Sequence, residues 1–291
     1  MFLEVAFSLT AAIPRTELPS TFSGGRLFAM PRIADSLRRM TLWVDSDGSG
    51  FIRQSAVTSL RLQTVAGSAR ALAYLPRFDD PLPPISENHG ALPILDDATV
   101  TADPIFGSVD GQLGASWLAD RMWTIDYVSH HLWLDHATPS YHSADVVPLN
   151  FDRTHHFPRI DISIAGVTYR ASLDTGASVA LNRSAAAAVS NGPPAVVATS
   201  FLPRATLQRW HQAHPSWQYI GDAGATAGVS MILVPRVRAN RVTFDNVWFS
   251  TRPNDDVFQG EEVQAKLGAS AFGRCAVLLD YVHDISAFQC G

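Results

Sequence analysis

Apolar residues along this chain recur mostly with a period of two, the spacing of strands that bury one face. Residues 160–164 read Ile-Asp-Ile-Ser-Ile, and 231–237 and 242–249 are of the same strand-forming kind. Residues 169–173 form another such run, entered through a turn at Gly166. Helical spacing is short and local, at 182–189 and 205–214. The pattern predicts an all-β chain with short helices.

The pattern also repeats. Residues 113–128 (LGASWLADRMWTIDYV) and 267–282 (LGASAFGRCAVLLDYV) align without gaps at an offset of 154 (267 − 113). Each copy reads as a glycine turn, a short helix over 115–121 or 269–275, and a strand ending in Asp-Tyr-Val. A second strand follows at 131–134 and at 285–288. Upstream lie 40–52 (MTLWVDSDGSGFI) and 169–181 (YRASLDTGASVAL), where a strand runs into an Asp and then into small residues. A duplicated unit of this size predicts two similar β lobes. The first covers 1–135, a Pro- and Ser-containing connector covers 136–150, and the second lobe covers 151–291. The second is longer: 93 positions (267 − 174) separate Asp174 from Leu267, against 68 (113 − 45) between Asp45 and Leu113. The extra length is expected in 190–220, where Asn191-Gly192-Pro193-Pro194 marks a loop.

Composition narrows the classes of function. Hydrophobic residues make up 46% and charged residues 17% of 291 positions, the balance of a globular protein. A formal net charge of -5 without a Lys/Arg stripe argues against a nucleic-acid partner. Lys266 is the only lysine, so Schiff-base chemistry has a single candidate amine. No apolar run is long enough to span a membrane. The first fifteen residues carry Glu4 and no basic region, and they alternate like a strand (Val5, Phe7, Leu9) rather than like a signal peptide. That leaves a chain kept in the cell or one exported with its leader outside this sequence. Cys275 and Cys290 are too few for a disulfide scaffold and have no zinc spacing. They flank a hairpin that turns near Val282–Asp284, which places them close to opposite one another and makes a disulfide geometrically possible.

Asp174-Thr175-Gly176-Ala177-Ser178 follows the strand 169–173. With the duplicated framework, this resembles the active-site loop of the pepsin-like and retroviral-type aspartic proteases. The string Val109-Asp110-Gly111-Gln112-Leu113-Gly114 is similar to the corresponding segment of the pepsin-like enzymes. The resemblance implies a bilobal acid-protease fold whose two β lobes are related by a pseudo-twofold axis. It also implies hydrolysis of peptide bonds by two carboxylates. Metal-free peptide hydrolysis needs a base for water and an acid for the carbonyl oxygen. Two close carboxyls sharing one proton supply both, because like charges that near cannot easily ionise together. Asp174 and Asp45 are the candidate catalytic pair. Thr175 and Ser46 are the supporting hydroxyls, and Gly176 and Gly48 let the backbone approach the carboxyls. The implied substrate is a peptide or protein bound extended in the cleft between lobes, with no cofactor, no metal and a monomeric enzyme. The profile is expected to favour acid.

The first lobe departs from the family pattern. In Asp45-Ser46-Asp47-Gly48, Asp47 falls where glycine is expected, or is inserted before Gly48. A peptide-binding protein of the same fold without catalysis is therefore the alternative. A calcium loop is a weaker one: Asp45, Asp47, Ser49, Gly50 and Ile52 match five loop positions, but Ala56 stands where a bidentate Glu belongs and a strand precedes the loop. The histidines at 130, 131, 136, 142, 155 and 156 read as a solvated connector rather than a metal site. The glycine-rich stretch 221–228, with Gly67-Ser68 in the first lobe, is a candidate flap over the cleft or an ordinary turn.

Overall fold

A computed structural model describes residues 14–66, 70–143, 145–151, 154–190, 195–253, 258 and 263–291. The expected strand at Val5–Leu9, the Gly67-Ser68 flap and the Asn191–Pro194 loop lie outside the described residues.

Strands dominate and form three large sheets. A seven-stranded sheet belongs to the first half, and an eight-stranded sheet to the second. In the first, the strand Leu42–Val44, which delivers Asp45, runs parallel to Gly111–Leu113 with Val44 opposite Leu113. In the second, Val167–Leu173, which delivers Asp174, runs parallel to Ala265–Leu267 with Leu173 opposite Leu267. The two halves thus place each Asp beside its own copy of the Leu-Gly element. The residues next to each Asp are apolar because both faces are covered there: Leu42, Trp43, Val44, Leu113, Leu173 and Leu267 are all buried. The strand Pro158–Ile164 instead alternates, with Ile160, Ile162 and Ile164 turned inward.

The third sheet joins the halves. It orders Arg15–Leu18, His131–Asp135, Met122–Asp126, Cys275–Asp280, Ile285–Cys290 and Val146–Pro148. At its centre the two repeat copies pair antiparallel with each other: Ala276 with Asp126, Leu278 with Thr124, Asp280 with Met122. The repeat offset of 154 (278 − 124) makes Thr124 and Leu278 counterparts, and they face one another directly. The pseudo-twofold axis therefore passes through this pair. A buried core runs continuously through both halves, with Trp117, Trp123, Phe249, Phe272 and Phe288 among its largest members, while Trp43 sits in a separate cluster with Phe28, Ile105 and Val109.

Two local expectations are adjusted. The helices after the Leu-Gly turns are one turn each, Ala115–Leu118 and Ala269–Phe272. The first cannot continue because Asp120 adopts a left-handed φ of 60°. The connector 136–150 contains a strand of the shared sheet, Val146–Pro148. The helix Arg183–Ser190 starts 129 residues after the helix Gln54–Leu60 (183 − 54), the same offset as Asp174 from Asp45. Correspondence thus holds through this helix, and the added length of the second half follows it, in the segment holding Val196–Ala198, Ser200–Phe201 and the helix Arg204–Ala213. Cys275 and Cys290 are register partners and form a disulfide, with Cα atoms 4.1 Å apart. No helix among the described residues is long and apolar enough to cross a membrane.

Candidate active site

Each Asp loop is held from below by its own half. The amide of Asp45 donates to Leu113 O and that of Asp174 to Leu267 O, both at 2.9 Å. Within each loop the next-but-one amide donates back to the carboxyl: Asp47 N to Asp45 Oδ1 at 3.1 Å, and Gly176 N to Asp174 Oδ1 at 2.9 Å. The following amide closes the turn, Gly48 N on Asp45 O and Ala177 N on Asp174 O, both at 3.4 Å. Asp47 is therefore the counterpart of Gly176, with no insertion, and Gly48 is the counterpart of Ala177. The expectation that Gly48 plays the part of Gly176 is corrected on this point.

The loops grip one another reciprocally. Ser46 N donates to Thr175 Oγ1 and Thr175 N to Ser46 Oγ, each at 3.0 Å. Ser46 Oγ donates on to Leu173 O at 2.6 Å and Thr175 Oγ1 to Val44 O at 3.1 Å. Every one of these bonds crosses between the halves, and all four groups are buried. The two hydroxyls read as loop supports from sequence thus meet at the axis.

The grip brings Asp45 and Asp174 together. The two carboxyls stand close enough that the charge on Asp45 acts on Asp174. A Cβ on Gly176 would lie 2.3 Å from Asp45 Cγ, so only glycine lets the second loop close on the first carboxyl. Gly48 is equally tight, since its Cβ would meet Asp45 Oδ2 at 2.3 Å. Burial raises Asp174 well above the usual carboxylate range, with the Asp45 charge adding to it and Lys266 opposing. Burial likewise raises Asp45 to about 6, helped by the Asp47 charge and opposed by the Asp47 amide and Lys266. Both carboxyls are thus harder to ionise than free ones, and like charges this close oppose ionising together.

Four further residues shape the site, and none was singled out for it from sequence. Gln112 Nε2 donates to Asp45 Oδ2 and to Ser49 O, both at 3.0 Å. Lys266, its counterpart at the offset of 154 (266 − 112), sends its ammonium across to Asp47 Oδ2. The repeat alignment carried this signal, because it sets two polar residues in matching places of an otherwise apolar element. Tyr127 and Tyr281 come from the shared Asp-Tyr-Val. Both phenols are buried and raised, Tyr127 by burial and Asp174, Tyr281 by burial, Asp47 and Asp45. They stay neutral hydroxyls behind the carboxyls. The Asp of the same motif caps the hairpin turn: Asp126 Oδ1 accepts from Val128 N and Ser129 N, and Asp280 Oδ1 from Val282 N and His283 N.

The calcium-loop alternative does not match this geometry. Asp45 turns to Asp174, Asp47 turns to Lys266, and the exposed Ser49 uses its carbonyl on Gln112. The glycine-rich stretch 221–228 pairs along the residues after Asp174, with Ala225 N on Ala180 O at 2.8 Å and Asn182 N on Ala223 O at 2.9 Å. There its Thr226 and Ala227 line a cleft of about 430 Å³, whose lining includes neither Asp45 nor Asp174. Ile105 and Asp103 of the first half line it against Ser178, Val179 and Ala180 of the second. The Arg252–Asp103 ion pair bridges the halves at this cleft, at 3.1 Å.

No family model matches the sequence, and no curated protein matches it. Solved structures do match the fold. The aspartic proteinase from Irpex lacteus superposes with a TM-score of 0.55 at 11% identity, over 95% of this chain and 97% of that one. Conglutin gamma, a basic 7S globulin from lupine seeds, gives 0.52 at 10% identity over 96% of both chains. Basic 7S globulin from soybean gives 0.50 at 11% identity, over 96% of this chain and 95% of that one. Identities this low speak for the fold alone: the chain has a pepsin-like fold. One of these neighbours is named a proteinase and two are named globulins, so the fold does not by itself choose a function.

Proposed function

We propose that this protein is an aspartic endopeptidase in which Asp45 and Asp174 share a proton. The observation that carries the reading is the reciprocal Ser46–Thr175 grip, which holds the two Asp loops against each other. Asp45 accepts two further donors, from Gln112 and the Asp47 amide, and these favour its ionised form. Asp174 accepts one, from Gly176, and carries the shared proton. Asp45 takes a proton from the attacking water as its oxygen bonds to the peptide carbon. Asp174 gives its proton to the carbonyl oxygen, forming a neutral gem-diol. Collapse of that diol returns one hydroxyl proton to Asp174, while Asp45 delivers its proton to the departing amine. The peptide lies extended in the cleft between the lobes 1–135 and 151–291, with the pocket lined by Ile105, Val179 and Ala180 taking a side chain.

The test is cleavage of a mixed peptide library read by mass spectrometry. Wild type is expected to cut internal peptide bonds, and Asp45→Asn and Asp174→Asn each to lose at least a thousandfold in kcat with substrate affinity kept. Full cleavage by Asp174→Asn would overturn the reading. A second reading, a peptide-binding protein of the same fold that does not turn over, is favoured by Asp47 in the position of Gly176. Peptide binding with no cleavage by wild type decides for it.

A further inference from the structure

Asp47 and Lys266 stand out as a charged pair sealed inside the molecule. The Lys266 side chain is 4% exposed and that of Asp47 is not exposed at all. They sit on opposite halves, Asp47 in the first Asp loop and Lys266 on the strand Ala265–Leu267 that supports the second. Lys266 is also the only lysine of the chain. Burying two charges is costly and leaving one of them alone is costlier, so a pair of this kind must be kept or lost together. Its place matters because a third carboxylate beside two others would disturb the proton they share.

We propose that Lys266 is a positioning residue that neutralises Asp47 and so keeps the site a two-carboxyl, one-proton system despite the acidic residue in the glycine position of its first loop. This rests on the reading of Asp45 and Asp174 as the catalytic pair. The charged and titratable groups facing the pair are few. Asp45 is flanked by Asp47, Asp174 and Lys266, Asp174 by Asp45, Lys266 and Tyr127, and Tyr281 lies near Asp47 and Asp45. The tyrosines are neutral, so among the described residues Asp47 and Lys266 carry the fixed charges next to the pair. Removing Lys266 takes away a cation that favours ionised Asp45 and Asp174, whether or not Asp47 then picks up a proton. Removing Asp47 takes away an anion that opposes ionised Asp45. The two changes push the dyad in opposite directions.

The experiment follows the carboxyl carbons of Asp45 and Asp174 by NMR titration, alongside the pH dependence of kcat/KM, in full-length variants. Lys266→Met is expected to move the Asp45 midpoint and the acid limb up by about one to three pH units. Asp47→Gly is expected to move both down by about one unit or more, and Asp47→Gly/Lys266→Gln to bring them back within about half a unit of wild type. If Lys266→Met does not fold, Asp47→Gly and the double variant carry the test, and recovery of folding in the double variant supports the pairing. Midpoints that do not move, or that move the same way in both single variants, overturn it. The titration needs no turnover, so opposite shifts in an enzyme that cleaves nothing uphold the pairing and overturn the protease reading.

Discussion

Asp45 and Asp174 are near mirror partners that differ by one donor, the amide of Gln112. Under the proposed function, that difference gives the role of base to the first half and of acid to the second. It also couples the site to stability. Both carboxyls titrate higher in the folded chain than unfolded, so the folded state binds more protons from about pH 4 upward. Their contribution is greatest in acid and is lost as pH rises through about 6 and beyond. Asp174→Asn removes a buried ionisable group and is expected to raise the melting temperature at pH 8 while changing it little at pH 4. Thermal scans at the two pH values check it; an equal change at both contradicts the assignment. Asp174 and Thr175 were legible because an Asp-Thr-Gly follows a strand. The alignment of Asp47 was not, since sequence alone cannot tell a substituted loop from a lengthened one. Only the matching amide bonds at Asp47 and Gly176 resolve it.

At the scale of elements, the Ser46–Thr175 grip and the terminal hairpin make separate predictions. Thr175→Val keeps the shape but deletes a donor to Val44 O and an acceptor for Ser46 N, both buried. A cost of about 1–3 kcal/mol is expected, with a fall in kcat larger than any change in KM. Denaturant unfolding and peptide kinetics measure the two, and an unchanged kcat would show that the grip does not position the dyad. The Cys275–Cys290 disulfide closes a separation of 15 residues across the last hairpin. Replacing both by serine is expected to cost about 2–3 kcal/mol by releasing the unfolded chain. Equal unfolding midpoints with and without reductant would contradict that. Strands were readable from alternation at 160–164 and 242–249, because one face of each is buried. The length of the one-turn helices was not, because a left-handed residue such as Asp120 leaves no mark in hydrophobic spacing.

For the whole molecule, the internal repeat carried the most information. An offset of 154 between two apolar segments places Thr124 opposite Leu278 on the axis and brings two loops to one point. It could not show that Lys266 reaches across that axis to Asp47, because the repeat predicts likeness and this contact is an asymmetry. Burial of the pair moves the expected working range. An acid-favouring profile is the family expectation, whereas burial and the Asp47 charge hold Asp45 at about 6. The direct measurement is kcat/KM of wild type on one cleaved peptide from pH 4 to pH 9, with Asp45→Asn and Asp174→Asn as controls. The predicted result is a bell that rises through about pH 6 as Asp45 ionises, falls again as Asp174 loses its proton, and vanishes in both variants. A profile without an acid limb, or no cleavage at any pH by a protein that still binds the peptide, would contradict a shared-proton dyad.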